Sequence, residues 1–164
     1  MKNNFKLFDI RVYILLSFII ILLTNTYFSF EESINFGARD GSDYFLIAEE
    51  YKNIPHETLE YHKAWRFIIP LFVGFLGDAF NLNTYIVFRI FTIIGCLSSI
   101  FCFYLILKKL YIDNFHIFFL TSFLIFNPYL FRYFIASPTM LNDLVFMNSG
   151  LIIALSIINN KKNI

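Results

Sequence analysis

The sequence predicts an all-α polytopic membrane protein: about four transmembrane helices, a re-entrant or interfacial helix, and an amphipathic helix in a long loop. Three observations carry this. The 164 residues are 58% hydrophobic, 21% aromatic and only 15% charged, against roughly 25% charged in soluble domains. Four stretches approach the roughly 20 apolar residues that a helix needs to cross the hydrocarbon core. Basic residues collect at alternate ends of those stretches, as the positive-inside rule requires. The net charge of +1 says little by itself, but its distribution does: no basic run or face exists to neutralise a nucleic-acid backbone, which excludes that partner.

The elements follow in order. Lys2, Lys6 and Arg11 precede the first apolar run. No small-x-small cleavage site follows in Thr24-Asn25-Thr26-Tyr27-Phe28, so 12–30 reads as an uncleaved anchor with its basic end in the cytoplasm. A long loop, 31–83, comes next. Within it Tyr44, Ile47, Ala48 and Tyr51 recur at i, i+3, i+4 and i+7. This predicts an amphipathic helix over 42–52, lying on the membrane surface.

Residues 67–77 are apolar but short, since eleven residues of helix rise only about 16 Å. Pro70, Gly74 and Gly77 weaken the segment further. A crossing here would put Lys108-Lys109 outside. A re-entrant or interfacial segment instead keeps Lys2, Lys6, Arg11, Lys108, Lys109, Lys161 and Lys162 on one side, and the positive-inside rule favours it.

The next span, 84–107, carries Arg89 near one end and Lys108-Lys109 at the other. The span 115–131 is broken near Asn127-Pro128, where proline removes a backbone donor. The last, 140–158, ends in Asn159-Asn160-Lys161-Lys162. Cys96 and Cys102 stand about 240° apart around one helix, so they read as small buried hydrophobes and neither a disulfide nor a metal pair. With no repeat or linker visible, 1–164 reads as a single membrane domain with both termini cytoplasmic. The loop 31–83 and the segment 132–139 are then external, with ten of the twelve acidic residues on or near that side.

Several ionisable residues are candidates for chemistry at that edge. Asp40 and Asp43 open the loop helix, where the plain reading is a helix cap and a first-turn acid favoured by the dipole. Two carboxylates three residues apart can share a helical face, which leaves room for a divalent cation without requiring one. His62 and Arg66 are spaced i, i+4 beside Lys63 and Trp65, and suit either an interfacial anchor or a phosphate site. Arg89, Arg132 and Asp143 lie at membrane depth, where ionisable groups need a partner or a function. Snorkelling accounts for Arg89, and an ion pair to one of the arginines would account for Asp143. His116 suits a polar contact better than catalysis, and Glu49 and Glu50 form the solvated face of the loop helix.

The pattern Asp40-Gly41-x-x-Tyr44-x-x-Ile47-Ala48, then His62-x-x-Trp65-Arg66-x-x-x-Pro70, resembles the first external loop of bacterial membrane glycosyltransferases of the GT-C fold. Asn127-Pro128 and Ser137-Pro138 with Asn142-Asp143-Leu144 resemble a later span junction in the same group. The resemblance covers most of 31–150 and corresponds to the N-terminal portion of those enzymes, which have about twice as many spans or more.

The resemblance implies transfer of a sugar from a polyprenyl-phosphate donor to an acceptor hydroxyl at the external membrane face. It implies Asp40 as general base with Asp43 as alternate, and Arg66, Arg132 and Arg89 around the phosphate. His62 would orient that phosphate, and Asp143 would belong to the same substrate-binding set. No cofactor is required. The partners expected are the lipid-linked donor, membrane lipids and a membrane protein supplying further spans. The location expected is the bacterial inner membrane. The competing reading is a non-catalytic membrane subunit or scaffold of a larger assembly.

Overall fold

The computed structural model describes residues 10–27, 41–53, 66–127 and 130–160. All of its regular structure is helical: α1 (Ile10–Tyr27), α2 (Gly41–Glu49), α3 (Ile68–Phe80), α4 (Thr84–Lys109), α5 (Asn114–Phe126), α6 (Phe131–Ala136), a 3₁₀ turn (Pro138–Met140) and α7 (Leu141–Asn160). Among the described residues, three stretches are long and apolar enough to cross a membrane: Thr84–Lys109, Asn114–Ala136 and Pro138–Asn160. Shorter apolar helices run over Ile10–Leu23 and Ile68–Phe80. The chain is an all-α integral membrane protein.

The helix ends follow from local chemistry. Asn83 caps α4, its side chain accepting from the Tyr85 N–H at 2.8 Å, and Lys108 and Lys109 occupy the last turn, where the dipole favours cations. Asp113 caps α5 by accepting from the Phe115 and His116 N–H groups. Asn127 adopts an extended ψ of 117°, as the residue before a proline must, and so stops α5. The crossing expected over 115–131 is therefore interrupted where the sequence placed its break.

Side-chain contacts fix the helix directions. On α4 and α7, Thr92 Oγ1 donates to the Pro138 carbonyl, and Ser99 Oγ donates to Asn148 Oδ1, both at 3.1 Å. Contacts that advance together along both helices make α4 and α7 parallel, with α5 returning between them. Tyr13, near the start of α1, stacks on Tyr104 and Phe118 at 5.6 and 6.1 Å, so α1 begins at the Lys109 end of α4. Tyr13, Ser17 and Ile21 form its buried stripe. Arg89 and Lys108 stand nineteen positions apart on α4, about 28 Å of helix, close to the hydrocarbon thickness of about 30 Å.

Helix α3 is short for a crossing: its thirteen residues rise about 20 Å, and it folds back along the first half of α4 as a hairpin. The turn places Asn81 in the left-handed region at φ 52°, and Leu82 N–H closes it onto the Gly77 carbonyl at 2.8 Å. Phe72 meets Phe91 edge-on at 6.0 Å. Both ends of α3 therefore stay in the Asn83 half of the molecule.

One expectation is corrected. The stripe Tyr44, Ile47 and Ala48 is buried, but against protein: α2 packs on α3, the 3₁₀ turn and α4, and its apolar face is not laid on a membrane surface. Gly74 permits this. A Cβ there would lie 2.0 Å from the Ala48 carbonyl oxygen, so only glycine lets the two backbones approach. Periodicity showed that α2 has an apolar face; it could not show what covers it.

Candidate functional site

Arg66 immediately precedes α3, and Asp143 lies in the first turn of α7. The return of α3 along α4 and the parallel packing of α7 on α4 bring them together, with Arg66 Nη1 and Asp143 Oδ1 3.3 Å apart. The arginine that pairs with Asp143 is thus Arg66. Both side chains are about half exposed (51% and 45%), so the pair contributes about 0–1 kcal/mol to stability. Asp143 also gains from the N-terminal dipole of α7. A guanidinium paired with a half-exposed carboxylate can also grip a phosphate bidentately.

The pair stands at the rim of a cleft of about 560 Å³ whose other walls are Ile68, Ile69, Asn142, Val145 and Phe146. Through Ile69 and Val145 the cleft adjoins a groove of about 400 Å³ between α3, α4 and α7. Phe72, Phe91, Ile94 and Ile152 line this groove, with Gly95 and Ser98 keeping it open on the α4 side. A charged head followed by an apolar channel is the shape of an amphiphile's site.

The other candidates among the described residues sit on other elements. Asp43 lies in the first turn of α2, Arg89 on α4 six residues below the Asn83 cap, and Arg132 near the start of α6. Asp40 and His62 lie outside the described residues, and with them the Asp40–Asp43 and His62–Arg66 pairings. Among the described residues, no three His, Cys, Asp or Glu side chains gather closely enough to hold a metal ion. Cys96 and Cys102 are both buried and free. His116 contacts Asp113 at the opposite end of α4, a polar contact remote from this site, and Glu49 and Glu50 are exposed.

Two polar clusters were not anticipated. At the far end of α3, Asp78 Oδ2 accepts from Tyr51 Oη at 2.6 Å and from Lys52 Nζ at 2.8 Å. The Lys52 ammonium, then the Tyr51 hydroxyl, hold the Asp78 carboxyl below the usual carboxylate range. In turn the Asp78 carboxylate pushes Lys52 and Tyr51 up. The signal in the sequence was a lone acid closing an otherwise apolar helix. Between α4 and α7, Asn148 Nδ2 donates to the Gly95 and Leu144 carbonyls, each at 3.0 Å, while its Oδ1 accepts from Ser99. An asparagine inside an apolar span was the signal there.

The chain matches no protein-family model, no curated protein and no solved structure.

Proposed function

We propose that this protein binds a polyprenyl-phosphate sugar and takes part in transferring the sugar to an acceptor hydroxyl at the external face of a bacterial inner membrane. The observation that carries the reading is the Arg66–Asp143 pair at the head of an apolar groove. Such a donor has a phosphate head and a long apolar tail, and the charged pair and the groove correspond to its two ends. The orientation, with both termini cytoplasmic, rests on the positive-inside rule.

In this reading Asp40 takes the proton of the acceptor hydroxyl as its oxygen attacks the anomeric carbon. The bond from that carbon to the phosphate oxygen breaks, and the lipid phosphate leaves with the electron pair. Arg66, aided by Arg132 and Arg89, neutralises the charge that grows on the leaving phosphate, which is electrostatic catalysis of the kind oriented cations supply. Asp43 is the alternate base, and His62 orients the phosphate.

The test is photo-crosslinking of a polyprenyl-phosphate probe to the full chain in proteoliposomes. Labelling of α3 and α7 that falls at least tenfold in Arg66→Ala supports the proposal; equal labelling in both overturns the phosphate assignment. A transfer assay on Asp40→Asn tests the base, whose loss costs about 10²–10⁴-fold.

A second reading, a non-catalytic subunit, has its own observation. The outer face of α7 leaves Ile153 60% and Ile157 52% exposed, a surface that suits a partner's transmembrane helix. Co-purification of one defined membrane protein, lost in Ile153→Ala, favours it.

A further inference from the structure

We infer that the cleft between the end of α2 and the α3–α4 turn binds a neutral, hydroxyl-rich ligand of the saccharide class. The cleft, of about 530 Å³, falls within the roughly 300–1,000 Å³ of small-ligand sites. Its position is separate from the Arg66 rim. Arg66 and Asp78 stand twelve positions apart, and the helical part from Ile68 to Asp78 alone rises about 15 Å.

The lining selects the chemistry. Glu49, Glu50, Asn53, Asp78 and Asn81 all face this cleft. Both bonds to Asp78 fall on Oδ2, so among the described residues its Oδ1 remains open to a ligand. Carboxylates accept and amides both donate and accept, while each sugar hydroxyl does both at once. A row of planar acceptors and amides therefore suits vicinal hydroxyls.

Other ligands fit less well. Three carboxylates, Glu49, Glu50 and Asp78, face one ammonium, Lys52, so a phosphate is repelled. The described residues hold no grouping of three acids, histidines or cysteines fit for a metal ion. The walls are also held in place before any ligand arrives. Gly74 lets the Ala48 carbonyl pack directly on α3, and Asp78 ties Tyr51 and Lys52 to the same helix. This pre-organisation lowers the ordering cost of binding.

This inference does not rest on the transfer reading. The experiment is saturation-transfer NMR on the full chain in phosphatidylcholine nanodiscs, free of sugar-based detergent. The probes are maltotriose, chitotriose, mannotriose, putrescine and inorganic phosphate. The expected result is transfer to at least one trisaccharide, falling to the empty-nanodisc level in the double variant Glu49→Ala/Asn53→Ala and unchanged in Arg66→Ala. Both substituted side chains are exposed, and circular dichroism verifies the fold of the variant. No transfer to any trisaccharide overturns the inference, as does transfer to putrescine or phosphate alone. Sugar transfer lost in Arg66→Ala but kept in the double variant also overturns it, and leaves the lipid-phosphate proposal standing.

Discussion

Arg66 Nη1 and Asp143 Oδ1 meet at 3.3 Å across 77 residues of sequence, at the mouth of the groove between α3 and α7. Because the pair is half exposed, it adds little to the stability of the fold; in the proposed function the carboxylate would compete with the lipid phosphate for the guanidinium. Asp143→Asn is expected to leave thermal stability within about 1 kcal/mol and to tighten binding of a polyprenyl phosphate by up to about fivefold. Arg66→Ala weakens that binding at least tenfold. Fluorescence titration in nanodiscs measures both; weaker binding in Asp143→Asn would show that the carboxylate assists the ligand.

Gly74 and Gly150 make a matched pair of substitutions. Alanine at Gly74 would drive a Cβ to 2.0 Å from the Ala48 carbonyl oxygen, whereas nothing lies within 4 Å at Gly150. Gly74→Ala is expected to cost about 1–3 kcal/mol by pushing α2 off α3. Gly150→Ala should be neutral or stabilise by about 0.5–1 kcal/mol, as expected for a helix interior. Thermal unfolding in detergent compares them, and equal midpoints would refute the close approach.

Asn148 holds α7 against α4 through two carbonyls and Ser99. Asn148→Ala is expected to destabilise by about 0.6–1.7 kcal/mol, the measured range for bonds between membrane helices. Ser99→Ala should cost less, because the hydroxyl also bonds within its own helix. A steric-trap or SDS-unfolding series reads the order, which reverses if Ser99 is the anchor.

The contact of Asp78 with Lys52 and Tyr51 has a definite pH signature. The folded-state pKa of Asp78 is lowered, first by Lys52, so its contribution is present above the unfolded carboxylate value of about 3.9. It disappears as pH falls through the lower folded value. Lys52 is raised by Asp78, so its contribution is present below the unfolded value of about 10.4 and fades as pH rises beyond it. The clasp between α2 and α3 is expected to be constant from about pH 5 to 9. In Asp78→Asn, hydrogen exchange near residues 46–50 should quicken at neutral pH. Unaltered exchange would show that Gly74 packing alone holds α2.

Much of this architecture was legible because membrane helices announce themselves. The span read over 84–107 is α4 to within two residues, since a long apolar run bounded by Arg89 and Lys108 leaves little choice. The shortness of α3 was legible in the eleven apolar residues of 67–77. The burial of α2 was not legible, because the close approach of Ala48 to Gly74 depends on tertiary packing that no periodicity encodes. Asp143 stood out as a costly charge at membrane depth and Arg66 as an interfacial anchor or phosphate site, but their pairing depends on how α3 returns along α4. Lys52 and Asp78, 26 residues apart, share no helical register and gave no warning of their contact.

The single Ser99 hydrogen has two acceptors, the Gly95 carbonyl at 3.0 Å and Asn148 Oδ1 at 3.1 Å. Ribosomes add about 5–20 residues per second, so Asn148, 49 positions later, emerges some seconds after Ser99. Until then the hydroxyl is satisfied within its own turn and waits in lipid at little penalty. When α7 docks, Asn148 Nδ2 joins the hydroxyl on the Gly95 oxygen, and Asn148 Oδ1 becomes the hydroxyl's second acceptor. The Ser99 hydroxyl therefore has an acceptor in its own turn before the two helices meet and two acceptors afterwards.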